Sequence, residues 1–150
     1  INIIKKINPL PNQEIFFSHI KYSNIISLTN KDLIKNYKEY SILLVTGISN
    51  PLLIVENIKK TNKNITHLAY KDHYNYKVSD IRKILHKYKK DKSTKKLILT
   101  TEKDAVKLME FKEFLVNINI YVLNISTTFE KQKEFNTRIL NYVKQNTRNH

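Results

Sequence analysis

The sequence predicts an α/β fold: a mainly parallel sheet of about four strands with helices on both faces, preceded by a β-rich connector segment. Three observations carry that expectation. From Ser41 onward, short apolar runs rich in β-branched residues alternate with stretches of helical period. Turn or capping residues stand between most runs and the helical stretches that follow them. Strands alternating with helices connect through right-handed crossovers, and such crossovers make neighbouring strands parallel. The expected organisation is a connector over 1–40, leading from an upstream domain, and an α/β domain over 41–150.

Taken in order, EIFFSHIKYSNIISL (14 to 28) is β-prone and partly alternating, with Asn12 and Ser23-Asn24 as turn signals, and reads as an extended segment or a hairpin. ILLVT (42 to 46) is a buried strand. Asn50 then caps a helix with Pro51 at its first position, and Leu52, Leu53, Val55 and Ile58 form the inner face. ITHLAY (65 to 70) is a second strand. A polar, aromatic loop follows, then a helix from about Ser79 with Ile81, Ile84, Leu85 and Tyr88 on one side. KLILT (96 to 100) is a third strand, and Thr101 and Asp104 after it have the spacing of a capping box. INIYVLNI (118 to 125) is a fourth, followed by a terminal helix from about Thr128 with Phe135, Ile139, Tyr142 and Val143 on one side. KQNTRNH (144 to 150) reads as a frayed end.

A chain of 150 residues, 41% of them hydrophobic, suffices for one domain with a real core. Cysteine is absent, which excludes a disulfide framework and thiolate chemistry. No apolar run approaches the ~20 residues that span a bilayer, and no signal-peptide pattern opens the chain. The first residue is Ile1, consistent with the later part of a longer protein. The net charge of +14 has two readings. One is attraction to nucleic acid or an anionic membrane. The other is drift towards AT-rich codons, which fits 24 Lys against 3 Arg, with 18 Asn and 21 Ile against 1 Gly and 2 Ala.

In a parallel sheet ligands gather beyond the carboxyl ends of the strands, so the loops after the strands are the informative ones. The single glycine, Gly47 in LLVTGISNP, sits where a strand turns towards a helix. A left-handed conformation or a close backbone approach would explain it, and so would a helix N-terminus facing an anion. One glycine cannot make a nucleotide cradle, and neither G-x-x-x-x-G-K-[ST] nor G-x-G-x-x-G occurs.

KDHYNY (71 to 76) offers Asp72 beside His73, with Tyr70, Tyr74 and Tyr76 around them. An imidazole exchanges protons near neutral pH and a carboxylate can orient it, although for the dipeptide by itself a surface turn is the simpler explanation. TTEKD (100 to 104) combines hydroxyls and a helix start with Lys103 and Lys107 one turn apart, and capping accounts for Thr101 and Asp104. His19, His67, His86 and His150 have no metal-ligand spacing, so no metal site is expected.

In sequence, VTGISNP, then YKDHYNYKVSDI, then ILTTEKDAVKL, each about twenty residues after the last, are together far more specific than any one loop. The series resembles the C-terminal half of tetraacyldisaccharide 4'-kinase, the lipid A 4'-kinase of Gram-negative bacteria, from about Glu14 to the last helix. Ser49 stands where alanine or glycine is usual, Val78 lies where a small polar residue is expected, and Lys107 replaces the commoner arginine; none of these touches the Asp-His pair.

The resemblance implies transfer of the ATP γ-phosphate, with Mg2+, to the 4'-hydroxyl of the glycolipid tetraacyldisaccharide 1-phosphate at the cytoplasmic face of the inner membrane. It implies that ATP and Mg2+ are bound mainly by an upstream P-loop domain, so that this chain alone is inactive. It also implies Asp72 and His73 as catalytic residues, with Gly47, Asn50, Tyr74, Thr100, Thr101, Glu102, Lys103 and Asp104 lining the cleft, and no nucleic-acid partner. The competing reading is a non-catalytic basic α/β binding module for nucleic acid or an anionic surface.

Overall fold

The computed structural model describes residues 3–147. The strands are β1 (Ser18–Ser27), β2 (Leu33–Ile34), β3 (Ser41–Thr46), β4 (Ile65–Ala69), β5 (Lys96–Thr101) and β6 (Ile120–Phe129). The helices are α1 (Ile3–Ile7), α2 (Leu52–Lys59), α3 (Val78–Lys90), α4 (Glu102–Leu108) and α5 (Gln132–Asn146), and a 3-10 segment, Met109–Leu115, follows α4. The strands form one sheet in the order β2-β1-β6-β5-β3-β4. Two compact units divide the chain: Tyr22–Ile125, and the two ends up to Lys21 and from Ser126.

The expectation of about four mainly parallel strands needs correction. β4, β3, β5 and β6 are parallel neighbours, but β1 and β2 extend the sheet to six strands and make it mixed. β2 pairs antiparallel with β1, Ile25 opposite Ile34. The bonds from Leu28 N to Ile120 O and from Ser23 Oγ to Asn124 O run β1 against β6. Ser23-Asn24 therefore lies inside a strand and makes no turn. The turn falls later, where Ser27 Oγ accepts from the N–H of Thr29 and Asn30, and Ser27 N donates to Asp32 O at 2.7 Å.

Alternate residues of a strand face opposite sides of a sheet, and the core accordingly has two layers. Leu43, Val45 and Ile98 pack with Ile81, Ile84 and Tyr88 of α3 and Leu108 of α4. Ile42, Leu44, Leu97 and Leu99 pack with Ile54 and Ile58 of α2, and with Ile25 and Leu123. Helices thus cover both faces of the parallel strands, and each fully buried Leu or Ile contributes about 1.5–3 kcal/mol. The inner face of α2 is Ile54 and Ile58, not Leu52 and Leu53, which remain exposed. Ahead of β3, buried Asn62 donates to the carbonyls of Tyr37 and Tyr40 and accepts from Asn64 N, which adds a polar tie to the packing of both tyrosines on the core.

The unit formed by the chain ends contains α1, α5 and the outer portions of β1 and β6. Phe135 stacks on Phe129 at 3.9 Å and meets Phe16 edge-on, while Arg138 pairs with Glu14 at 2.9 Å. α5 begins at Gln132, later than expected, because the β-branched and aromatic run Thr127-Thr128-Phe129 prolongs β6. Ile139, Tyr142 and Val143 of α5 are exposed. Of the expected frayed end, Lys144–Asn146 are helical, and residues 148–150 lie outside the described residues.

Truncating the fully buried Leu44 to alanine is expected to lower unfolding free energy by about 2–5 kcal/mol. Ile139→Ala on the exposed face of α5 should change it by less than about 0.5 kcal/mol. Urea denaturation of the two variants measures the contrast.

Candidate functional site

The three motif loops leave the carboxyl ends of β5, β3 and β4, which are neighbours in the sheet. One buried side chain ties them together. Asp104, in the first turn of α4, has no exposed surface. Its Oδ2 accepts from Gly47 N–H at 2.9 Å and from the Thr101 hydroxyl at 2.8 Å, and its Oδ1 accepts from the Tyr76 hydroxyl at 3.2 Å. Thr101 Oγ1 in turn accepts from Asp104 N–H at 3.2 Å, capping α4. The carboxylate thus has hydrogen-bond partners from all three loops, without which a buried charge would be costly.

This arrangement decides between the reasons for Gly47. Its φ is not positive. A Cβ there would instead lie 2.9 Å from Asp104 Oδ1 and 3.4 Å from both Lys71 O and Tyr74 Cβ, so the glycine serves close approach. Asp104 also departs from an ordinary capping box, since its carboxylate reaches Gly47 N and not the N–H of the capping residue.

Above this buried anchor the second loop presents the Asp-His pair. Tyr70, Tyr74 and Tyr76 pack against one another, Tyr70 tilted against Tyr74 and Tyr76 edge-on to both, with ring centroids 4.8–5.5 Å apart. The Tyr74 hydroxyl donates to Asp80 Oδ2, which also accepts from Lys77 N–H at the start of α3. Burial, then Asp80 and Tyr74, push the Tyr70 phenol up to about 12. Burial followed by the Asp104 charge raises that of Tyr76 further still. Neither phenol can serve as a base near neutral pH; they wall and brace the loop.

His73 has φ of 56°, left-handed backbone that a non-glycine residue seldom adopts, and its N–H donates to Asp72 Oδ1 at 3.0 Å. Its side chain is 77% exposed and that of Asp72 39%. The ammonium of Lys103, on the first turn of α4, lies 3.3 Å from Asp72 Oδ1 and 3.3 Å from His73 Nε2. Desolvation pushes the Asp72 carboxyl up, but hydrogen bonds from Lys103 and the His73 backbone, with their charges, hold it below its ordinary value. Lys107, one turn on, donates to Tyr74 O at 2.6 Å.

The remaining residues singled out in the sequence fall into two groups. Thr100 is fully buried and its hydroxyl donates to Val45 O within the sheet. Asn50 and Glu102 are exposed, Asn50 Oδ1 accepting from Leu52 N–H at the start of α2. A cavity of about 250 Å³, walled by Ile48, Leu123 and Ile125, lies against Thr101, Glu102 and Lys103. His67 Nε2 is 2.9 Å from Thr46 Oγ1, and burial lowers its imidazole below the ordinary value. Tyr76 and Asp80 join the expected site residues here; both stand within the second motif, where an aromatic and an acid at fixed offsets from Asp72-His73 mark them.

Comparison with known proteins agrees with these motifs. The family profile described as Tetraacyldisaccharide-1-P 4'-kinase (LpxK) matches residues 4–144. The chain belongs to the LpxK family. Tetraacyldisaccharide 4'-kinase of Bacteroides fragilis is 34% identical over 158 residues, 98% of this chain and 42% of the relative. That of Flavobacterium psychrophilum is 35% identical over 138 residues, 91% of this chain and 37% of the relative. The chain therefore spans less than half the length of these curated relatives. Among solved structures, LpxK from Aquifex aeolicus in complex with ATP shares the fold, with a TM-score of 0.53 and 15% identity over 89% of this chain and 38% of that one.

The one glycine N–H at a strand end, that of Gly47, is already given to Asp104. Among the described residues no group of three or more His, Asp or Glu is placed to hold a metal ion.

Asp104→Ala leaves the Gly47 N–H and two hydroxyls without their acceptor and is expected to destabilise the fold by about 3 kcal/mol. Gly47→Ala forces that carboxylate aside and should cost about 1–3 kcal/mol. Because both act on one contact, the double variant should be less destabilised than the sum, which a double-mutant cycle in urea measures.

Proposed function

We propose that this chain forms one wall of the active site of a tetraacyldisaccharide 4'-kinase, which transfers the γ-phosphate of ATP to the 4'-hydroxyl of tetraacyldisaccharide 1-phosphate. The observation that carries the reading is the gathering of Asp72, His73 and Lys103 at the carboxyl ends of parallel strands in a chain of this family. ATP and Mg2+ would be held by a P-loop segment outside this sequence, with residues 1–40 as the connection to it and 41–150 as the domain that carries the pair.

In this reading His73 supports removal of the proton from the sugar hydroxyl, and Asp72 orients the ring or the sugar. Phosphoryl transfer of this kind depends on placing the nucleophile and stabilising charge, so an exposed imidazole on a braced loop suits the task. The apolar cavity beside Lys103 offers a surface suited to a ligand that is part hydrocarbon and part anion. No helix among the described residues is long and apolar enough to cross a membrane. Access to a lipid substrate would then be peripheral, at the cytoplasmic face of the inner membrane, with the lysine-rich surface contributing about 1 kcal/mol per well-placed cation.

The test is kinase activity on the tetraacyldisaccharide 1-phosphate in a form joined to its upstream coding region. His73→Ala is expected to lower kcat/KM by about 100-fold or more, the range of a lost acid-base group. Unchanged kcat/KM would refute the role given to His73.

A further inference from the structure

We infer that Lys103 is a positioning residue that fixes the tautomer of His73, keeping the proton on Nδ1 and the lone pair on Nε2. The inference rests on the proposed role of the pair and adds how the ring is set for it.

The argument starts from the chemistry of the three groups. An ammonium has donors and no acceptor. Its contact with His73 Nε2 at 3.3 Å is a hydrogen bond only if that nitrogen carries the lone pair, which leaves the single ring proton of neutral imidazole on Nδ1. Asp72 pulls the other way. Its Oδ2 lies 3.9 Å from the same Nε2, and a carboxylate so placed favours a proton on that nitrogen. Lys103 and Asp72 therefore compete for the tautomer. The ammonium satisfies both at once by also holding Asp72 Oδ1 at 3.3 Å.

The reach of Lys103 is itself constrained. It is the residue before Asp104, whose carboxylate is fastened to the first two loops, so the start of α4 and the loop bearing His73 are held in register by the buried anchor. Lys107, one turn on, is engaged with Tyr74 O on the same loop, so the two lysines of this helix face hold different atoms of that loop. The consequence for the reaction is directional. With Nε2 unprotonated, that atom of the exposed His73 side chain accepts a proton from a hydroxyl or a carboxylic acid and does not donate one. When such a group arrives, Lys103 can yield Nε2 while remaining on Asp72.

Long-range proton–nitrogen correlation spectra of the 15N-labelled 150-residue chain at pH about 8.5, above the ordinary histidine range, report the tautomer directly. His73→Gln identifies the signal. The wild type should show Nδ1–H with Nε2 unprotonated. Lys103→Met should move at least about half of the population to Nε2–H as Asp72 captures it, and Lys103→Arg should keep the wild-type pattern. The Lys103 side chain is 43% exposed, so these variants should retain the fold.

In the form joined to its upstream coding region, Lys103→Met should lower kcat by about 10-fold with KM for the glycolipid little changed, and Lys103→Arg should recover most of it. A wild-type ring already protonated at Nε2, or a tautomer unmoved by Lys103→Met, overturns the inference whatever the kinase assay gives. A switched tautomer together with a silent His73→Ala overturns the proposed kinase role of the pair and leaves the tautomer assignment standing.

Discussion

The carboxylate of Asp104 is the constraint on which the arrangement of the loops depends. It is fully buried, and its acceptor sites are filled from the loop after β3, the loop after β4 and its own helix start. A buried charge of this kind is strongly destabilising when a partner is lost. Three segments far apart in sequence are thereby committed to one geometry. Gly47 is the steric counterpart of the same constraint, since only a residue without Cβ lets its N–H reach the carboxylate.

What is presented to solvent is different in kind. Asp72, His73 and Lys103 are all exposed, and pairs of this sort contribute little to stability. Their value lies in position. Energetics and chemistry are thus separated by burial: the anchor and the tyrosine cluster hold the loops, and the groups able to move protons sit above them, bonded to one another. The left-handed backbone of His73 belongs to this second layer, a local strain of the type that clusters where a side chain must be aimed.

The parallel core was legible in the sequence because strands covered on both faces read as continuous apolar runs, as in ILLVT and KLILT. β1 was harder. Most of its residues are exposed, Ile25 and Ser27 are buried near one end, and its partner β6 lies about a hundred residues away, so local alternation could not place it. The run LLIV at 52–55 has no polar residue to mark a helical phase, and packing alone put Ile54 inward and Leu52 and Leu53 outward. At the site, the sequence marked Gly47, the Asp-His pair and TTEKD, and left open whether Gly47 answered a conformational or a steric need. The atom that decides it belongs to Asp104, fifty-seven positions on, a contact no local pattern contains. Lys103 was visible as a motif residue, but its place between Asp72 and His73 depends on two loops converging.

Amide hydrogen exchange at Gly47, compared between the wild-type chain and Asp104→Asn, tests the anchoring most directly. If the carboxylate holds the loops, the wild-type Gly47 N–H is strongly protected, and the substitution accelerates its exchange and that of residues 71–76 together, while the strand interiors of β3 and β5 stay protected. An unprotected Gly47 amide in the wild type, or acceleration confined to α4, would contradict the account.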